Sequence, residues 1–191
     1  MPDMGRWTPD TRARLEQAAL ELFGESGFER TTVAEIAGRA GLTERTFFRH
    51  FADKREVLFG GTGPLRDLLV GAVAAAPPGA APIDAALAAI TAAAALIQDR
   101  AAQARSRQAV IDAHPELRER ELIKLAALAA DVAAALRARG AGDLAAALAA
   151  ETGVAVFKVA YGRWIDGPAD TPLPDVVRDT ATELRTVTAG R

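Results

Sequence analysis

The chain contains no cysteine and only two histidines, His50 and His114. Disulfides, thiolate zinc sites and cysteine nucleophiles are therefore excluded, and a histidine-rich metal site cannot be assembled. Aromatic residues make up 5% of the 191, with one tyrosine and two tryptophans. Long apolar runs are also missing. The longest, Ala85–Ile97, is 13 residues with Thr91 inside it, whereas a bilayer span needs about 20, so it reads as a buried helix and no membrane association is expected. Residues 1–10 carry acids, prolines and Arg6 but no apolar core of a secretory signal, so the expected location is the cytoplasm. Neither sign of charge dominates: the net charge is −2 and the isoelectric point about 5.8, which argues against a protein that coats nucleic acid without regard to sequence.

Alanine is what the chain has in excess, 45 of 191 residues. It is the strongest intrinsic helix former, and no period-2 alternation of apolar residues competes with it. An all-α protein of about nine helices follows. Thr8-Pro9 supplies an N-cap and a first-turn proline, and Leu15, Ala18, Ala19, Leu22 and Phe23 then share one helical face. Thr32 and Glu35 have capping-box spacing ahead of a short helix. Gly41-Leu42-Thr43 reads as a turn into a second short helix, Glu44–His50, and Asp53 with Glu56 opens a longer helix running to Ala76. Beyond Pro77-Pro78-Gly79 come helices near 83–97, 101–113, 116–139, 143–165 and 172–187, with Leu122, Leu125, Ala129, Val132 and Leu136 as the inward face of the third of these. The expected division is a helix-turn-helix domain over residues 1–52 and a ligand-binding and dimerisation domain over 53–191, joined by the helix from Asp53.

Residues 33–50 hold the chemistry. Two short helices joined by a glycine-containing turn form a helix-turn-helix layout. Ala37 is small enough for the helix crossing, and Gly41 is free to adopt positive φ. Ile36, Ala40, Leu42 and Phe47 are placed to lock the pair, and the second helix presents Thr43, Glu44, Arg45, Thr46, Arg49 and His50. Residues 39–55 carry five cations, Arg39, Arg45, Arg49, Lys54 and Arg55, against Glu44 and Asp53. His50 is able to add a further charge to that window.

Residues 12–58 resemble the N-terminal domain of the TetR family of bacterial regulators. The resemblance is carried by Arg12, Ala18-Ala19, Leu22-Phe23, Gly27-Phe28, Thr31-Thr32-Val33, Ile36-Ala37, Ala40-Gly41-Leu42-Thr43, Thr46-Phe47-Phe48, Phe51, Lys54 and Val57-Leu58. It covers about a quarter of the chain; the remainder is similar only in helix count and order. It implies a homodimer on a palindromic double-stranded DNA operator, with the second short helix in the major groove. Thr32 and Lys54 would meet phosphates at helix N-termini. Phe48 stands where most members have a tyrosine whose hydroxyl reaches a phosphate; here that contact is missing or taken over by Arg49 and His50. Arg45 stands where many members have a small residue, and its guanidinium is suited to a guanine edge, with phosphate contact or solvent as alternatives.

Phe47 and Phe51 read as core of the small domain rather than as stacking platforms, and His114 before Pro115 as a helix-junction cap. Phe157, Tyr161 and Trp164 share one face of a long helix, which suits core, dimer face or pocket wall. A dimer interface is expected through Phe157, Trp164, Val177 and Leu184. An apolar ligand pocket is expected with Thr91, Gln98 and Tyr161 as polar contacts and an uncharged or weakly polar small-molecule effector. An alanine-lined bundle either encloses such a cavity or packs its backbones close. Enzyme readings fail: there is no Glu-x-x-His pair, no phosphate-cradling glycine loop, and no nucleophile with a base partner. No cofactor or metal is implied. The function expected is a transcriptional repressor released from its operator by a small ligand. The alternatives are a DNA-binding regulator whose C-terminal domain binds a protein partner, and a helical ligand-binding or catalytic bundle with a vestigial N-terminal unit.

Overall fold

The computed structural model describes residues 11–190. The expected cap at Thr8-Pro9 lies outside them. All regular structure among the described residues is helical: α1 Thr11–Ser26, α2 Val33–Arg39, α3 Glu44–His50, a 3₁₀ turn Arg55–Phe59, α4 Thr62–Ala75, α5 Pro82–Gln98, α6 Ala101–Asp112, α7 Pro115–Ala138, α8 Asp143–Asp166 and α9 Leu173–Thr188. Among the described residues, the all-α class and the count of nine α-helices are as expected. The long helix from Asp53 is not. Asp53 does cap, its Oδ1 accepting the Glu56 N–H at 2.9 Å, but what it opens is the 3₁₀ turn. Gly60-Gly61 then breaks the chain, and α4 starts afresh with Pro64 in its first turn, where a missing N–H costs nothing.

The chain forms two compact units. Among the described residues, the first comprises 11–61 together with Ser106–Leu117, and the second Thr62–Arg105 with 118–190. This division places the 3₁₀ turn in the first unit, beyond the 52/53 boundary read from the sequence. It also adds a distant segment that the sequence analysis assigned to the C-terminal bundle. Ile111 and Leu117 from that segment are fully buried with Leu15, Ala19, Phe23, Ile36 and Phe47. Arg107 Nε donates to the Leu58 carbonyl at 2.6 Å, with the guanidinium 5.1 Å over the Phe59 ring. His114 donates from Nδ1 to the Val110 carbonyl at 2.8 Å and packs on Phe28 with ring centroids 5.0 Å apart.

In the second unit α5 packs on α4, α8 and α9. Ala85, Ala86, Ala89, Ala93 and Ala94 on α5, and Ala146, Ala149, Ala150 and Gly153 on α8, are buried. A Cβ built on Gly153 would stand 3.5 Å from Ala86 Cβ and 3.6 Å from Ile90. The small residues at this crossing are thus used to bring two backbones together rather than to line a cavity. On α7 the buried seam is Leu128, Ala129, Val132, Ala133 and Leu136, with Leu125 half-buried. Leu122, expected inward, is exposed beside Ile123 because no element among the described residues covers that turn. Two stretches, Arg55–Ala75 and Asp143–Asp166, are long and apolar enough by length and composition to cross a membrane. Charged residues interrupt both, Arg66-Asp67 in the first and Glu151 and Lys158 in the second. In α8 that apolar character includes the seam packed against α5 and α9.

Candidate nucleic-acid interface

The first unit is built around how α2 hands over to α3. Thr32 caps α2 through a complete capping box: its Oγ1 accepts the Glu35 N–H at 3.2 Å, and Glu35 Oε2 accepts the Thr32 N–H at 2.7 Å. The resulting backbone and hydroxyl hydrogen bonds hold the Glu35 carboxyl below the usual carboxylate range. Leu42 N donates to the Ala37 carbonyl at 2.8 Å and Gly41 N to Gly38 at 2.9 Å, which closes α2 around a Gly41 with φ +65. An L side chain there would be strained and would also crowd the Arg14 guanidinium, which itself donates to the Ala40 carbonyl. Thr43 caps α3, its Oγ1 accepting the Thr46 N–H at 3.2 Å. Gly60 is fixed by close approach instead: it is buried, and a Cβ there would collide with Glu16 and press on the Phe51 ring.

With the helices pinned, α3 turns Phe47 fully inward and places Phe51 in the core just beyond its end. The opposite face carries Thr43, Glu44, Arg45, Phe48 and Arg49, all exposed, with Thr46 and His50 half-buried at its edges. Phe48 is 54% exposed and meets Phe47 edge-on, centroids 5.5 Å apart. Arg45 and Arg49 lie one turn apart and take no ion pair or hydrogen bond among the described residues, and neither does Arg55. They can direct guanidinium donors outward from a convex helix, which is what reading a groove requires.

Three charges of the expected cationic window behave differently. Lys54 does not face outward. Its Nζ donates to the carbonyls of Phe28 at 2.7 Å, Thr31 at 3.0 Å and Glu29 at 3.3 Å, and sits 4.4 Å over the Phe28 ring. An ammonium has three donors, and carbonyls take up all three, so Lys54 clamps the loop between α1 and α2. Arg39 forms a two-point pair with Glu25, at 3.0 and 2.8 Å, and reaches Glu21 at 3.4 Å. The pairing holds the Arg39 proton more tightly and lowers the Glu25 carboxyl below its ordinary value. His50 is pushed below the usual imidazole value, first by burial and then by Arg49 and Arg12. Its protonated form is thereby disfavoured, so it is a poor source of added charge. The outward field rests on Arg45, Arg49 and Arg55.

The residues expected at a pocket and at a dimer interface belong to the second unit. Gln98 Oε1 accepts the Leu173 N–H at 2.8 Å, so its carbonyl caps α9. Thr91 is half-buried and returns its hydroxyl to the Leu87 carbonyl of its own helix at 2.9 Å. Tyr161 donates to the Ala104 carbonyl at 3.4 Å and stacks on Phe157, centroids 5.4 Å apart. Trp164 and Val177, expected between subunits, are 1% and 0% exposed within the single chain. Trp164 Nε1 donates to the Thr171 carbonyl at 3.0 Å, tying α8 to the loop before α9. Both residues are core, since a side chain already buried by its own chain has no area left for a partner. Phe157 and Leu184 are half-buried at the edge of that core. The exposed apolar side chains of these two helices, which the sequence reading did not single out, are Leu144, Leu148 and Val159 on α8 and Val187 on α9.

A buried two-helix scaffold that presents an outward, arginine-bearing third helix defines a helix-turn-helix unit. Residues 16–59 match the sequence profile described as bacterial regulatory proteins, tetR family. A curated relative, the HTH-type transcriptional regulator TcmR of Streptomyces glaucescens, is 41% identical over 75 residues, which is 39% of this chain and 33% of that protein. The chain thus matches about a third of the length of that relative. Among solved structures, the TetR-family regulator PfmR of Thermus thermophilus superposes with a TM-score of 0.50 at 26% identity, over 87% of this chain and 93% of that one. FadR of Bacillus subtilis, solved in complex with stearoyl-CoA, gives a TM-score of 0.62 at 17% identity over 88% and 94%. Likeness at that identity speaks for the fold. The N-terminal unit is thus similar to the N-terminal domain of the tetR family of bacterial regulatory proteins.

Proposed function

We propose that the chain is a sequence-specific DNA-binding repressor that acts as a homodimer in the cytoplasm and leaves its operator when a small molecule binds the second unit. The observation that carries the DNA-binding part is the exposed face of α3, where Arg45 and Arg49 have no ion-pair or hydrogen-bond partner among the described residues and Thr43, Glu44 and Thr46 flank them. Arg45 takes a base edge, and Arg49, Arg55 and the exposed backbone donors at helix starts take phosphates. Phe48 contributes its ring edge but no hydroxyl. His50, whose protonated form is disfavoured, and Thr32, whose hydroxyl is engaged in its capping box, orient their neighbours.

Dimerisation is supported by the exposed Leu144, Leu148 and Val159, which recur on one side of α8, and by Val187 on α9. Exposed apolar side chains at this spacing suit packing against a second copy. A two-fold dimer would read a palindrome. Ligand response is supported by the fold shared with the FadR complex. Release requires a ligand with different affinities for the DNA-competent and DNA-incompetent states.

The test is selection of bound duplexes from a random pool, followed by footprinting. A palindromic consensus protected in two half-sites is the expected result. Recovery of duplexes without sequence preference would refute the reading.

A further inference from the structure

We infer that the effector carries a carboxylate and that Arg105 on α6 is the group that receives it. The inference rests on the ligand-responsive reading above and specifies the chemistry of that ligand. Arg105 Nη1 donates to the Ile165 carbonyl at 2.5 Å, and the guanidinium lies 4.6 Å over the Trp164 ring. Nη2 is buried and has no hydrogen-bond partner. Arg105 makes no ion pair among the described residues.

A structural role explains half of this. Ile165 is in the last turn of α8, whose terminal carbonyls lack intrahelical donors and favour a cation. Capping accounts for Nη1 and for the stack on Trp164. It does not account for Nη2, which a purely structural cap would leave in water or set on a second carbonyl. A buried guanidinium donor without an acceptor is costly, and the cost is relieved only by a partner with negative or strongly accepting oxygen.

The surroundings narrow the class. The Phe157, Tyr161 and Trp164 rings run in contact along α8, with Tyr161–Trp164 centroids 5.7 Å apart, and the Tyr161 hydroxyl bonds the backbone of Ala104, next to Arg105. One cation beside an aromatic row matches one negative charge on an apolar body. A phosphate monoester, with nearly two charges at neutral pH, would need a second cation. The fitting class is therefore an amphipathic monocarboxylic acid, which replaces the uncharged effector expected from the sequence. Because Nη2 is sealed, the acid pairs only with a conformation in which the α6–α8 contact has opened. Its binding free energy then shifts that equilibrium, as a release signal must.

The experiment measures binding by calorimetry and thermal shift to octanoate, benzoate and 2-naphthoate, each beside its primary amide. The proteins are wild type, Arg105→Met and Arg105→Lys, with helix content checked by circular dichroism. At least one acid is expected to bind wild type roughly tenfold to a hundredfold tighter than its amide, the worth of a charged hydrogen bond. Arg105→Met should lose that preference and Arg105→Lys should retain part of it. Amides binding wild type as tightly as the acids would overturn the inference and leave a ligand-responsive protein. So would a preference for acid that survives in Arg105→Met. Failure of both acids and amides to bind wild type would remove the inference together with the ligand-responsive reading.

Discussion

Lys54 offers the sharpest discrimination between two roles for one cation. Replacing it with methionine keeps a stem of similar length and removes the ammonium. Three charge-assisted hydrogen bonds to carbonyls, at 2.7, 3.0 and 3.3 Å, are lost together with the contact over Phe28. Each such bond is worth about 1.5–3 kcal/mol where fully buried. Lys54 is half-exposed and the freed carbonyls can rehydrate, so the three do not add. A net loss of about 2–3 kcal/mol is the reasonable magnitude, borne by the loop that carries α1 into α2. Hydrogen exchange of amides in residues 27–41 should then accelerate roughly 30- to 150-fold where they exchange through local opening. DNA affinity should fall by the fraction of unit that is misordered, with the salt dependence of binding unchanged. If instead exchange is unaltered while the slope of log K against log salt drops by about one, Lys54 is a phosphate contact and the clamp is incidental.

How far this could be read from the sequence depended on the range of the interaction. Caps were legible because they are local: Thr32 with Glu35 needs only three residues of spacing to specify a helix start. The inward placement of Phe47 was legible because helical period sets it once the flanking apolar residues are known. Lys54 was not, since its acceptors lie 23 to 26 residues away and a lysine near a helix start looks the same whether it grips carbonyls or phosphates. The break at Gly60-Gly61 had a local signal in its glycines, which the reading of a continuous helix passed over. The apolar stripe through Val177 and the row ending in Trp164 told that a face is covered. A periodicity does not say whether the cover is the chain's own core or a second copy, and here it is the core. Ile111 and Leu117 posed the same problem within the first unit, because their partners are distant in sequence. Arg105 was invisible for a related reason: nothing in its neighbours along the chain announces an aromatic row contributed by α8.

The remaining predictions concern bases, subunits, a helix end and pH. Arg45→Ala should cost about 1–3 kcal/mol on the preferred operator and relax preference at one base pair per half-site, whereas an equal loss on every sequence would make Arg45 a backbone contact. Leu148→Arg should give monomers in analytical ultracentrifugation with helix content intact, since it places a cation in an apolar face that is exposed in the single chain; an unchanged dimer would move the interface off that face. Arg139, whose guanidinium donates to the carbonyls of Ala74, Ala76 and Pro77 at 2.8–3.0 Å, ties down the C-terminal end of α4. Arg139→Ala should therefore speed hydrogen exchange near residues 72–80, and no change there would deny it that role. For His50 the sign follows from its lowered pKa. Burial, reinforced by Arg49 and Arg12, makes the folded state resist the proton that the unfolded chain accepts near 6.5. The unfolded state then binds more protons across that window, so stability should be full above about pH 6.5 and decline as the pH falls toward the folded value. His50→Gln should flatten that part of a urea-denaturation pH profile while the carboxylate-driven loss at lower pH persists. A slope near pH 6 of equal size in the variant would show that another group carries it. A stability that rises on acidification in wild type but not in the variant would show that the folded state welcomes the proton, and His50 would return to the list of cations facing the phosphates.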